Sequence, residues 1–204
     1  MKMLFAGLGA LMACVPAVMA GPITVSSYTI NTPTESGYPD DTGVQLIDGL
    51  FGTIDLISAG AAVPWVGWIN TDAISMTFNF SSIQSVTSVS IDFLLETVNF
   101  SYLPDSVNIG GQIFPIDSVA FKNQYGDSGT GFLTFNLSSA INTQSLAVEL
   151  DKAGSGFHIL IDEVTFASNT TAGTPEPATL GLIGGGLLGL AILSRAHTRL
   201  KSRF

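Results

Sequence analysis

The chain has 204 residues with sixteen acidic and seven basic side chains, and its formal charge of −9 understates the asymmetry, because Lys2, Arg195, Arg199, Lys201 and Arg203 lie at the two ends. Between residues 21 and 174 fifteen acids face only Lys122 and Lys152, with no arginine; a surface this acidic repels phosphate backbones and excludes nucleic acid as a partner. The single cysteine, Cys14, stands near the N-terminus, so the body has no disulfide, zinc–thiolate or thiol-nucleophile chemistry.

In chain order, Lys2 precedes an apolar stretch from Met3 to Val15, followed by Pro16 and Val18-Met19-Ala20. This is the pattern of a secretory signal peptide over residues 1–20, cleaved after Ala20. Leu11-Met12-Ala13-Cys14 also approximates a lipobox, which leaves two starts for the mature chain, Gly21 or an acylated Cys14.

The body, residues 21–167, is long enough for one domain with a sizeable core. Period-two alternation marks strands at Ile74-Met76-Phe78-Phe80, Val89-Ile91-Phe93, Leu133-Phe135-Leu137 and Leu146-Val148-Leu150. Clusters of Gly, Pro, Asn, Asp and Ser at 31–41, 110–111 and 124–131 read as loops. No stretch shows an amphipathic helix of three turns, so the pattern predicts an all-β sandwich, with jelly-roll connectivity favoured by the long first loops. Trp65 and Trp68 stand three apart, which in an extended strand sends them to opposite faces; one is expected in the core and the other exposed. Residues 168–174, rich in Ser, Asn, Thr and Ala, read as a flexible spacer.

Several body segments follow one another in an order that resembles the galactose-binding-like jelly roll, the discoidin-type group that includes many carbohydrate-binding modules. They are Tyr38-Pro39-Asp40-Asp41-Thr42-Gly43, Leu46-Ile47-Asp48-Gly49, Trp65-Val66-Gly67-Trp68, Leu103-Pro104-Asp105-Ser106-Val107 and Phe157 to Val164. The resemblance implies a structural calcium ion beside the L-x-D-G loop, held by Asp48, Thr53 and Glu163 with Asp40 or Asp41 nearby; calcium takes six to eight oxygens, which a glycine-bearing loop can supply in part through its carbonyls. The ordinary alternative is that Asp48-Gly49 is a plain turn and Glu163 a solvated strand-end charge. The sequence departs from a sugar-binding pattern, since the body has no arginine and one histidine, His158, in an apolar strand. Tyr38, Tyr102 and Tyr125 remain candidates for a shallow sugar platform.

No catalytic constellation is apparent. A Ser-His-Asp arrangement would have to use His158, and no G-x-S-x-G elbow occurs. Asp40-Asp41 and Asp162-Glu163 are sequence neighbours, which in extended chain point opposite ways and make poor acid–base pairs. The chain is expected not to be an enzyme.

Residues 175–204 open with Pro175-Glu176-Pro177, continue through an apolar run at 178–193 and end in the basic stretch 195–204. A helix over the run would span about 24 Å, slightly under the ~30 Å hydrocarbon thickness, so it is a short transmembrane candidate with its basic end inside. The order of these parts resembles the PEP-CTERM tail of exported bacterial proteins. That resemblance implies an exosortase as partner, recognition at Pro175, Glu176 and Pro177, a transient inner-membrane intermediate, and a final place on the surface or in the exopolysaccharide matrix of a Gram-negative cell.

Overall fold

The computed structural model describes residues 18–52, 64–152 and 157–171. Ala20–Asn169 form one compact unit; the other, Met1–Met19 with Thr170–Phe204, falls almost wholly outside the described residues, as does the apolar run 178–193. Among the described residues no helix is long and apolar enough to cross a membrane.

The elements are β1 (Val18–Ile23), β2 (Val25–Ile30), β3 (Val66–Ile69), β4 (Ala73–Glu96), β5 (Ser106–Ile109), β6 (Gln112–Pro115), α1 (Ser118–Tyr125), β7 (Ser128–Asp151) and β8 (His158–Thr171). Strands are hydrogen-bonded in the order β1-β8-β4-β7-β5-β6, with β2 also on β4 and β3 on β8. The expected strands at 74–80 and 89–93 are two halves of β4, and those at 133–137 and 146–150 are two halves of β7. These two strands pair antiparallel along their length, with register shifts between Asn79 and Gln84 and between Val86 and Ser88. At those irregularities the ribbon changes layer, as bulges allow a strand to bend. In one layer the first half of β4 lies between β2 and the end of β7, which continues to β5 and β6; in the other, the second half of β4 lies between β8 and the start of β7. The result is a mostly antiparallel β-sandwich.

Alternation fills the space between the layers. Ile74, Met76, Phe78 and Phe80 from one layer meet Val89, Ile91, Phe93, Val164 and Phe166 from the other in a single buried cluster. The Phe166 ring lies 5.0 Å from that of Phe78 and 5.4 Å from that of Phe80, so the contact bridges the two layers. Each such phenylalanine contributes about 1.5–3 kcal/mol by leaving water.

Trp65 and Trp68 do belong to different clusters, Trp65 with Leu94 and Leu160 and Trp68 in the main core, but both are buried. The expected exposure of one is corrected by the loop around Tyr38, which packs over the second face. Its close approach depends on Gly67, where a Cβ would collide with Leu160 and Tyr38. Gly110 and Gly111, with φ of +56° and +92°, turn β5 into β6 as the loop reading anticipated. β1 includes Ala20, the expected cleavage point, and β8 continues to Thr171, past residue 168 where the spacer is expected to begin. Thr87 reaches into that stretch, its hydroxyl donating to Asn169 Oδ1 at 3.4 Å.

Candidate functional site

The L-x-D-G loop sits on carboxylates supplied by β8, with a third from β4 beside them. Between Ile91 paired with Val164 and Phe93 paired with Ile161, β4 has one residue, Asp92, where β8 has two, Asp162 and Glu163. This bulge overturns the alternation argument that sends adjacent acids to opposite faces. Both now accept from the same loop: the Gly49 N–H donates to Glu163 Oε2 at 3.0 Å, and the Gly52 N–H donates to Asp162 Oδ2. Bulges commonly re-aim side chains in this way.

All three acids are buried, with Asp162 fully so. Burial pushes the Asp162 carboxyl up to about 8, with the charge of Asp92 adding to it against the opposing Gly52 N–H. Glu163 is raised to about 7 by burial and by the charges of Asp48 and Asp92. Asp92 is also raised by burial, against hydrogen bonds from the Gly131 and Phe93 N–H groups. Asp162 Oδ1 has no hydrogen-bond partner. Lys122 and Lys152 lie elsewhere, paired with Asp127 and Asp105.

Of the expected calcium set, Glu163 is buried at the loop base rather than solvated, and Asp48 is exposed. Asp48 Oδ1 accepts from the Leu50 N–H at 2.8 Å, the bond of an ordinary Asx turn. Thr53 lies outside the described residues. Asp40 is engaged elsewhere, Oδ2 accepting from the Tyr28 hydroxyl at 2.6 Å and Oδ1 from the Gly43 N–H at 2.9 Å. Asp41 is exposed. Among the described residues, no three His, Cys, Asp or Glu side chains converge as a metal site. The chemistry of the donors nevertheless suits a hard cation: Asp48 and Glu163 each engage one oxygen in the loop bonds, and the buried Asp162 oxygen is unpartnered. Sequence reasoning missed Asp92, which no motif marks, and set Asp162 aside as pointing away from Glu163.

A second surface gathers aromatic and charged side chains. Tyr102 and Phe157 meet edge to face at 4.6 Å, with Lys152 Nζ 6.0 Å and 5.7 Å from their ring centres. Lys152 also donates to Asp105 at 3.1 Å. His158 Nδ1 lies 2.8 Å from Glu35 Oε2, and its ring is edge-on to Tyr38. His158 is therefore a paired strand residue, held where the Tyr102 N–H donates to its carbonyl.

Tyr125, the remaining platform candidate, is on α1. Asp117 starts this helix as its N-cap, Oδ1 accepting from the Val119 and Ala120 N–H groups. Phe121 anchors it in the core and stacks with Tyr125 at 4.6 Å. Between α1, β6 and β7 runs a groove of about 450 Å³, with Phe114, Phe121 and Phe135 among its apolar lining and Gln124 and Asn136 among its polar lining.

The expected tail is matched directly. The family described as PEP-CTERM protein-sorting motif covers residues 174–196. The chain carries a PEP-CTERM sorting motif. Such a motif implies an exported protein handled by an exosortase. No curated protein matches the sequence. Among solved structures, the family 32 CBM from C. perfringens NanJ in complex with galactose aligns at 17% identity and a TM-score of 0.44, covering 74% of this chain and 100% of that one. The lectin binding domain of Lectinolysin complexed with Lewis b, in a mutant form, aligns at 14% and 0.48, covering 76% and 100%. A structure of the Streptococcus pneumoniae beta-galactosidase BgaA aligns at 14% and 0.48, covering 72% and 98%. The ligands and activities in those descriptions are properties of those proteins.

Proposed function

We propose that this PEP-CTERM protein is a non-enzymatic component of the cell surface or extracellular matrix, in which a signal peptide at 1–20 and the tail at 175–204 deliver a galactose-binding-like jelly roll through the envelope. The sorting-motif match at 174–196 carries the reading. In this scheme an exosortase recognises Pro175, Glu176 and Pro177, where two prolines fix φ near −65° and withhold amide donors, keeping the segment extended for an enzyme to bind. The working protein is then the sandwich alone, in an exopolysaccharide matrix. Intact mass spectrometry of the protein from its own cells tests this: a C-terminus near Pro175 is expected, and a retained Phe204 overturns removal of the tail. The same spectrum distinguishes a start at Gly21 from an acylated Cys14.

The reading includes a structural calcium ion at the loop base, with Asp48, Thr53 and Glu163 as its ligands. It is supported by buried carboxylates that have no basic partner among the described residues. Calorimetric melting with calcium and with a chelator should give a higher transition in calcium; coincident transitions remove the ion from the proposal.

A second reading, a carbohydrate-binding module acting on exopolysaccharide or another glycan, is favoured by the groove beside α1. Its volume lies within the ~300–1,000 Å³ typical of small-ligand sites. Retention of the full chain on a polysaccharide resin tests it.

A further inference from the structure

The carbohydrate-binding reading leaves open where a sugar would sit and of what kind. The surface at Tyr102 is poorly suited: its aromatic rings pack edge to face, and Lys152 and His158 are engaged by Asp105 and Glu35. The groove beside α1 differs on each count. We infer that it holds one neutral pyranose unit of an uncharged polysaccharide, with Phe114 against the C–H face of the ring and Asn136 and Gln124 bonding its hydroxyls; this rests on the carbohydrate-binding reading.

Three observations carry the inference. Phe114 is half-buried, set 5.6 Å from the Phe135 ring at 54°, so the wall of the groove keeps accessible aromatic surface. An aromatic face of this kind suits the apolar C–H side of a sugar ring better than a charged group. Second, hydrogen-bonding capacity is unused at the rim. The Asn136 amide, exposed on β7, has no side-chain hydrogen bond to a described residue. Gln124 donates through Nε2 to the Tyr125 hydroxyl at 2.9 Å, which orients its Oε1 as a free acceptor. An amide donor and an amide acceptor lining one groove are what the hydroxyls of a sugar ring require.

The third observation is charge. No base lines the groove, and Lys122 on the same helix pairs with Asp127. The carboxylate of a uronic acid would meet no counter-charge within a domain of fifteen acids and two lysines. A cationic amino sugar gains little, since Asp117 already accepts two N–H groups at the positive end of α1. A neutral ring incurs neither penalty.

Affinity electrophoresis of the full chain in gels containing dextran, galactomannan, alginate or chitosan tests the inference. Retardation by a neutral polymer, equal at low and high salt, is expected. Ala120→Trp, which fills the groove from the exposed face of α1, and Asn136→Ala should each weaken it at least tenfold, while Phe157→Ala at the other surface leaves it unchanged. Thermal melts of each variant verify folding. Loss with Phe157→Ala but not with Ala120→Trp, or salt-sensitive preference for alginate or chitosan, overturns the neutral groove site and leaves the carbohydrate-binding reading standing. Retardation by none of the four polymers overturns both.

Discussion

At the Tyr102 surface each basic side chain has an acidic partner, Lys152 with Asp105 and His158 with Glu35. Beneath the L-x-D-G loop Asp92, Asp162 and Glu163 are buried against one another and against backbone N–H groups, with neither lysine of the body in reach. The contrast shows what a scarcity of bases does to a fold. Where a lysine or histidine is available, acids pair with it near the surface; where none is, burial favours the protonated acid.

The sharpest way to break this comparison is pH. Asp162 and Glu163 have folded values near 8 and 7, above their ordinary ones. For an acid raised in the folded state, the native chain retains a proton that the unfolded chain releases. Their contribution is therefore full below about pH 4 and lost as pH rises through 7 to 8. In metal-free buffer a loss on the order of 3 kcal/mol between pH 5 and 8.5 is expected, seen as a fall of roughly 10 °C in Tm. A melting temperature constant over that range would remove the contrast.

Asp162→Asn narrows the question to one side chain. It eliminates a buried charge while keeping an oxygen for the Gly52 N–H, so it should stabilise the chain by about 1–2 kcal/mol at pH 8 and flatten the pH profile. An unaltered slope in thermal melts would show that the titration resides elsewhere. At the paired surface the effect is smaller. Lys152→Ala forfeits an ion pair with a largely exposed Asp105 and contacts to two rings, for about 0.5–1 kcal/mol. Unlike Asp162→Asn, it should leave the shape of the pH profile intact; a change in that shape would mean that the two surfaces are electrostatically linked.

Much of the sandwich was legible because alternation reports burial directly. Ile74, Met76, Phe78 and Phe80 all face the core, as do Val89, Ile91 and Phe93. That the two runs are one strand was hidden, since the segment from Ser81 to Ser88 resembles a loop in composition, yet half of it pairs with β7 across irregular register. The buried Trp65 shows a related limit: a face reads as exposed until a distant loop covers it. Glu163 was found through the closing-strand resemblance. Asp92 was not, and Asp162 was assigned to the opposite face, because period-two reasoning assumes a regular strand and the bulge is set by pairing between segments about seventy residues apart.

The sequence by itself determined the acidic, cysteine-free body, the core faces of the regular stretches of β4 and β7 and the sorting tail, all of which depend on composition or local order. Tertiary structure alone decided that Asp162 and Glu163 serve one loop, that Lys152 and His158 are already engaged, and that a groove opens beside α1. Those outcomes depend on which distant segments meet, and the free energy of burying or pairing a charge exists only after they have met.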